Sequence, residues 1–395
     1  MSFRVRYNLS NSDVRNLELI SQTNGNLQVL QMNPAWSEIL ERQARLEEAV
    51  GSIGIEGTVV SIAQAKAITV GTRDVKIGER ERREFESYYR TLKFIKQQVD
   101  TGFSINLLLR IHEYVTAGDP KARPGKIRTE QNAIKRNGTI IYTPPPTPQV
   151  GFLLDEFIKW FNTAASDKAF SPIVAGGICH FWFVWIHPFA DGNGRVARIL
   201  TTLLLIKKKS EGVKYFALSD YYNRNQAEYY DTLKKTNKCN PLSPSMNFQE
   251  DLSPWLSFFI GSYLQQTSKI KTVTSRILQL NIRVEHLRKT GLITDSQNKV
   301  LEFLYARERA SYPELAVHLG NITSGRVNQI LKPLRAAQIL IEEKIGKQLW
   351  FSLGAPEITD ESVLVKKKLN QKTVDKTAKR AKKTFKQAPL PIFEA

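Results

Sequence analysis

The stretch His187-Pro188-Phe189-Ala190-Asp191-Gly192-Asn193-Gly194-Arg195-Val196-Ala197-Arg198 decides how this chain is read. An apolar segment, Ala175 to Ile186, runs into it, and a second, Val196 to Ile206, runs out of it. A core would place a plain turn between two such segments. Here the connection carries a His, an Asp, an Asn, two Gly and two Arg. Two glycines flanking Asn193 let the backbone turn sharply and expose its N–H groups. The segment that follows has a helical pattern, so those N–H groups lie at a helix N-terminus. With the macrodipole behind it, such an end is an anion site. Arg195 and Arg198 are three apart and share one face of the first turn. Cations at that end oppose the dipole, and they make sense when an anion lies between them and the helix. Polyphosphate suits planar guanidinium donors well.

Asp191, beside the turn, is an acceptor able to hold Mg²⁺, which binds through one or two carboxylates plus phosphate oxygens. His187 lies four residues earlier, and a neutral imidazole is a base near pH 7. Phosphate cradle, metal carboxylate and base together describe transfer of a phosphoryl or nucleotidyl group to a hydroxyl. The loop is not a Walker A, since it has no G-x-x-x-x-G-K-[ST] pattern and no lysine. A satisfied core histidine beside surface arginines would leave Asp191, Asn193 and the paired Arg unexplained.

His187-x-Phe189-x-Asp191-Gly192-Asn193-Gly194-Arg195-x-x-Arg198 resembles the core motif of the Fic (Fido) family at every fixed position. The resemblance covers roughly residues 35 to 260. It implies a mainly α fold, a Fic-type helical bundle, that uses ATP with Mg²⁺. In that reading His187 is the catalytic base and Asp191 binds the metal. Gly192, Asn193, Gly194 and Arg195 cradle the phosphates, and Arg198 holds the γ-phosphate. Upstream, Ser52-x-x-x-Glu56-Gly57 is similar to the family's inhibitory motif, [ST]-x-x-x-E-[GN]. This implies that Glu56 pairs with Arg198, which we expect to be bidentate. Gly51, Gly54 and Gly57 lie in or beside this helix, where each costs about 1 kcal/mol relative to Ala. That cost points to close backbone approach or a functional constraint. Gly54 is not required by the motif.

Asn137-Gly138 is a hairpin turn signal. It precedes the β-rich Thr139-Ile140-Ile141-Tyr142, and Pro144 to Pro146 stop the strand. A short hairpin with a free edge can align an extended peptide by main-chain hydrogen bonds. The resemblance makes this the flap that docks a target segment, approached through Arg128 and Gln131. A tyrosine pair usually packs in a core, but the resemblance places Tyr229 and Tyr230, with Asn237 seven residues later, at the adenine pocket. His180 reads as a core or supporting residue and His112 as structural.

Around this centre the chain falls into an N-terminal helical region, 1–100, that contains the inhibitory motif. A catalytic core at 101–270 follows. Within the first region, residues 1 to about 33 are polar and predict little regular structure, and Pro34 suits a helix start. From Leu292 three helical segments precede two strands around Gly346, resembling a winged helix-turn-helix at 288–355. Its third helix carries Arg326, Asn328, Gln329, Lys332 and Arg335 and could enter a DNA major groove. Such modules also serve as protein contacts, and Pro333 counts against a regular recognition helix. Residues 360–395 form a basic, flexible tail, able to touch phosphate backbones non-specifically or to remain solvated.

Composition agrees. The 395 residues are 42% hydrophobic with a formal charge of +19, and the pI near 9.7 suggests an acidic partner. Cys179 and Cys239 belong to no C-x-x-C pair, so neither a disulfide framework nor a zinc ribbon is indicated. No apolar leader or membrane-length segment is present, and a soluble cytoplasmic protein with no membrane partner is expected. The expected function is transfer of AMP from ATP to Ser, Thr or Tyr hydroxyls of target proteins, itself included, restrained by Glu56. One rival is transfer of another phosphate-linked group, or AMP removal. Another is a DNA-binding regulator whose core only senses nucleotide. A homodimer is left open.

Overall fold

The structure, a computed structural model, describes residues 5–27, 34–69, 71, 75–136, 139–236, 251–289, 293–307, 309–336, 339–345 and 348–353. Asn137-Gly138, Asn237 and the basic tail lie outside these residues. Two compact units form, Met1–Thr274 and Ser275–Ala395.

The first unit is helical. In chain order it holds α1 (Asn11–Asn26), α2 (Pro34–Ile55), α3 (Ile62–Thr69), α4 (Glu79–Lys96) and α5 (Ile105–Val115). An antiparallel hairpin follows, β1 (Ile134–Arg136) and β2 (Thr139–Tyr142). Then come α6 (Val150–Ser166), α7 (Pro172–Ile186), α8 (Asn193–Lys207), α9 (Leu218–Arg224), α10 (Gln226–Thr236) and the first part of α11 (Ser253–Lys289).

Helix α7 is the axis. It is apolar on every face, and a helix of that kind can only be buried. Every residue from Ile173 to Ile186 except Val184 is out of solvent. Ser171 caps it, accepting from Val174 N, and Pro172 opens the first turn. The indole N–H of Trp255 on α11 donates to the Gly177 carbonyl at 2.7 Å. His180 is buried among Trp255, Tyr222 and Tyr229, with its Nε2 2.9 Å from the Tyr229 hydroxyl. This anchors the segment that ends in the motif.

The N-terminal region departs from the sequence expectation, because α1 is a regular helix. Ser10 Oγ accepts from Asp13 N at 3.2 Å, and Asp13 accepts from Ser10 N at 2.9 Å, a reciprocal cap. Asp13 also takes the Ser257 hydroxyl at 2.8 Å, and Ile20 is buried. Tertiary docking, more than intrinsic propensity, makes this helix. Helix α2 runs through Gly51 and Gly54 without a break. A Cβ on Gly51 would lie 2.5 Å from Asp220 N, so glycine here permits α2 to meet the start of α9 backbone to backbone.

The second unit contains α12 (Asp295–Arg307), β3 (Arg309–Ser311), α13 (Tyr312–His318), α14 (Ser324–Ala336), β4 (Leu340–Ile345) and β5 (Gln348–Leu353). The strands form an antiparallel sheet in the order β3-β5-β4. Val300, Leu304, Leu315, Val327, Leu331 and Phe351 make its core. Ser311 and Glu314 form a capping box for α13. The short β3 adds a third strand to the expected pair. Helix α14 runs on through Pro333, which is exposed, so the ring meets solvent. Among the described residues no helix is long and apolar enough to cross a membrane.

Candidate active site

The motif loop is shaped by packing before any ligand is considered. Helix α7 ends at His187, whose φ of 51° is left-handed. For a non-glycine residue that conformation costs about 1 kcal/mol, and it survives only where the surroundings enforce it. The His187 N–H donates to Phe183 O at 3.1 Å, and its carbonyl accepts from Arg128 Nε at 2.9 Å. Nδ1 of the ring is 3.2 Å from the Val184 carbonyl. A carbonyl only accepts, so Nδ1 carries the proton and Nε2 keeps its lone pair. Burial lowers the pKa of His187 from 6.5 to about 4, so the ring is neutral at pH 7.

Gly192, with φ of 81°, turns the chain into α8. A Cβ there would sit 2.7 Å from Thr116 Cγ2 as well as being strained. Asn193 is buried and spends both ends of its amide on Phe189. Its Oδ1 accepts from Phe189 N and its Nδ2 donates to Phe189 O, each at 2.9 Å. The side chain therefore shapes the loop, and Asn193 offers the anion site its position in the first turn of α8. His112 braces the other side. Its Nδ1 accepts from Gly125 N at 3.0 Å, so Nε2 bears the hydrogen and donates to Asp191 O at 3.0 Å. Its ring stacks on Phe189, centroids 3.7 Å apart and nearly parallel.

Two arginines line the α8 end. Arg195 Nη2 contacts Asp191 Oδ2 at 2.7 Å, with the Asp191 side chain 56% exposed. The Nε of Arg195 is buried with no partner among the described residues. Arg198 is buried and donates three bonds, two to Ser52 on α2 and one to Glu56 just past its end. Its Nε donates to Ser52 Oγ at 2.7 Å, and its Nη2 donates to Ser52 O at 3.0 Å and to Glu56 Oε1 at 2.7 Å. The expected bidentate carboxylate pair is therefore a single bond to Glu56, with Ser52 supplying the rest. Burial opposes the charge of Arg198, but Glu56, Tyr229 and Tyr88 together outweigh it and the guanidinium stays protonated. The same Glu56 oxygen would lie 2.8 Å from a Cβ on Gly194, so the carboxylate rests on the turn itself. Gly57 follows with φ of 89° and ends the helix beyond it.

Arg128 ties the hairpin to the loop. Beyond its bond to His187 O, its Nη1 donates to Thr147 Oγ1 at 2.7 Å and its Nη2 to Pro145 O. Gln131 Nε2 donates to Pro144 O at 2.9 Å. Lys135 pairs with Ile140 and Arg136 with Thr139 across the strands. Ile140 is exposed. Tyr142 donates its hydroxyl to Trp185 O and so fastens β2 to the end of α7. Ile141 lies between them in the strand.

Residues 102–205 match the model of the Fic/DOC family. The chain carries a Fic domain. The protein adenylyltransferase Fic of Aedes aegypti is 26% identical over 235 residues, covering 58% of this chain and 44% of the relative. That of Drosophila melanogaster is 26% identical over 271 residues, covering 68% and 52%. The chain thus spans about half the length of the curated relatives it matches. A Fic family protein from Desulfovibrio desulfuricans shares the fold with a TM-score of 0.61 at 21% identity, over 89% of this chain and 99% of that one. A Fic domain containing signaling protein from Bacteroides thetaiotaomicron gives a TM-score of 0.53 at 17% identity, over 64% of this chain and 95% of that one.

Beyond the matched residues the tyrosine pair divides. Tyr229 is buried, bonded to His180 and stacked on Tyr222 at 4.9 Å between centroids. Tyr230 is half-buried, its hydroxyl 3.5 Å from Ile55 O at the end of α2. His112 and Arg128 are the braces whose weight the sequence pattern understated. Neither sits in the motif, and only the folded loop shows what they hold.

Three histidines set into the fold should make the Fic domain acid-sensitive. Burial lowers His112 and His187 to about 4 and His180 to about 3, against 6.5 in the open chain. Below pH 6.5 the unfolded chain therefore binds protons that the folded one refuses, and stability falls as pH drops from about 6.5 to about 4. Thermal melts at pH 7.5, 6 and 5 should show a progressive loss. A melting temperature that stays level over this range would contradict the buried neutral rings.

Proposed function

We propose that this chain is a protein adenylyltransferase, moving AMP from ATP to a Ser, Thr or Tyr hydroxyl of a target protein or of itself. The observation that carries the reading is the His187 ring, whose Nδ1 is turned to Val184 O so that Nε2 keeps its lone pair, on the residue that ends α7 and opens the loop to the Gly192 turn. His187 accepts the hydroxyl proton, the oxygen bonds to the α-phosphorus, and the bond to the β-phosphate breaks to release pyrophosphate. The N-terminus of α8, with Gly192, Asn193, Gly194 and Arg195, receives the phosphate charge. Arg198 orients the γ-phosphate when Glu56 lets go of it. The residues fit a magnesium ion, because Asp191 is an exposed carboxylate beside an anion cradle whose buried Arg195 Nε has no partner among the described residues. Asp191 would hold Mg²⁺, which offsets phosphate charge when bound. Ile140 on the hairpin edge suits contact with a target segment, and Tyr230 suits the base side of the nucleotide.

The test is incubation with differently labelled nucleotides, Mg²⁺ and cell lysate, with the adduct identified by mass. An added AMP supports the reading. An added phosphate or UMP, or release of AMP from a modified protein, selects the rival chemistry.

A second reading concerns the second unit. Its helix–strand–helix–helix–hairpin order and the exposed Arg326, Gln329 and Lys332 on α14 favour a winged-helix contact with DNA. Glu342 and Glu343 on β4 oppose a polyanion, and Arg335 is engaged with Glu342. If α14 contacts duplex DNA, Arg326→Ala in the full chain should weaken binding and lower the slope of log affinity against log salt by about one. An unchanged slope and affinity would leave the basic tail as the contact.

A further inference from the structure

Glu48 and Ser52 on α2 and Glu56, the residue just past its end, are spaced four apart in the chain. Ser52 and Glu56 hold Arg198. Glu48 belongs to no motif, yet it is buried at 7% exposure. A carboxylate is expensive to bury unless its oxygens are fully bonded. Here Oε2 accepts from Ser219 N at 2.9 Å, and Oε1 accepts from the Ser219 hydroxyl and from Tyr88 OH at 3.3 Å. Ala217, at the N-cap of α9, supplies no side-chain bond, so Glu48 satisfies an N–H of the first turn of α9 from another helix. Tyr88 comes from α4, so one carboxylate joins three helices. Next to it Gly51 touches the backbone of Ser219 and Asp220, and Gly54 touches Asn223. Burial pushes the Glu48 carboxyl up, while the Ser219 bonds and the charge of Arg198 pull against it.

We propose that Glu48 is the positioning residue of the Arg198 clamp. By binding Ser219 and Tyr88 it holds α2 at the depth at which Ser52 and Glu56 reach Arg198. The glycines let α2 come close, and Glu48 gives it a fixed register against α9. The clamp can then be loosened at Ser219 without altering Arg198, Ser52 or Glu56. This rests on the reading that Glu56 restrains transfer.

The test compares full-length wild type, Glu48→Gln, Glu56→Gly and the double variant in self-modification by labelled ATP, alongside melting temperature and hydrogen exchange of residues 44–57. Glu48→Gln keeps the shape and removes the charge. It should raise the wild-type rate about fivefold or more and speed exchange in that segment. It should add nothing in the Glu56→Gly background, where no clamp is left to loosen. A merely structural role would instead lower the rate by the same factor in both backgrounds. That outcome, or a folded Glu48→Gln with the wild-type rate, overturns the proposal. If Glu48→Gln does not fold, Ser219→Ala, which removes one donor and keeps the carboxylate, carries the same comparison. If Glu56→Gly is itself no faster than wild type, the restraint reading fails and the role of Glu48 falls with it. A fast Glu56→Gly beside an unresponsive Glu48→Gln removes the positioning role alone.

Discussion

His187→Ala should lower AMP transfer by about 10²–10⁴-fold, the usual contribution of a general base, while ATP binding stays near the wild-type level. Binding survives because the phosphate site is built from the start of α8, and His187 contributes to none of its bonds. The side chain that is lost carries one hydrogen bond, from Nδ1 to Val184 O. The acid limb should move as well. With its pKa lowered to about 4, His187 remains a base well below the ordinary 6.5. In a Glu56→Gly background, kcat/KM with a target peptide should hold from pH 7 to about 5 and fall near 4. Equal losses of binding and transfer in His187→Ala would mark the ring as structural.

Glu56→Gly should raise self-modification by up to about 100-fold, the ceiling set by a clamp closed 99% of the time. Two geometric facts support a rise in turnover beyond any rise in affinity. The Glu56 carboxylate holds Arg198, and it also leans on Gly194 at the phosphate turn. ATP entering beside it would meet a guanidinium aimed away from the γ-phosphate and a turn partly covered, and a small misplacement of the reacting atoms can cost about 10²-fold. Ser52 retains its two bonds to Arg198 in this variant, so release is incomplete and the gain should stay under the ceiling. Glu56→Gly with His187→Ala should be inactive, because an open site cannot replace the base. A folded, ATP-binding Glu56→Gly with the wild-type rate would falsify the inhibitory role.

Much of this was legible in the sequence because the informative residues are contiguous. The twelve residues from His187 to Arg198 contain the proposed base, the turn and both guanidiniums, and the apolar runs on either side announce two buried helices. Ser52 and Glu56 were readable for the same reason, being four apart in the chain. What stayed hidden depends on residues distant in the chain. His112 and Arg128 brace the loop from 59 to 79 positions away, and no local pattern marks them. The polar composition of residues 1 to 33 hides helix α1, although Ser10 and Asp13 form its cap, because it is held by a distant partner, Ser257 on α11. The pairing geometry is not local either. Ser52 takes the Nε–H and one Nη2–H of Arg198, so Glu56 meets the guanidinium through Nη2 alone, and a spacing rule does not show how the donors are shared. The glycines of α2 were correctly read as signs of close approach, and the fold supplies the surface they meet, the first turn of α9.

Asn193-Gly194 has a chemical consequence of its own. In an open chain an asparagine followed by glycine is prone to ageing, because the glycine nitrogen attacks the side-chain carbonyl and ammonia is lost. Here the amide is stapled at both ends to Phe189, which holds its carbonyl away from that attack. The bonds that set the shape of the loop thus also act as its preservative. A molecule that has once been unfolded for long enough would return with a carboxylate at this position, facing the Phe189 carbonyl and repelling phosphate. Under the proposed function it would be folded in outline and spent as a catalyst.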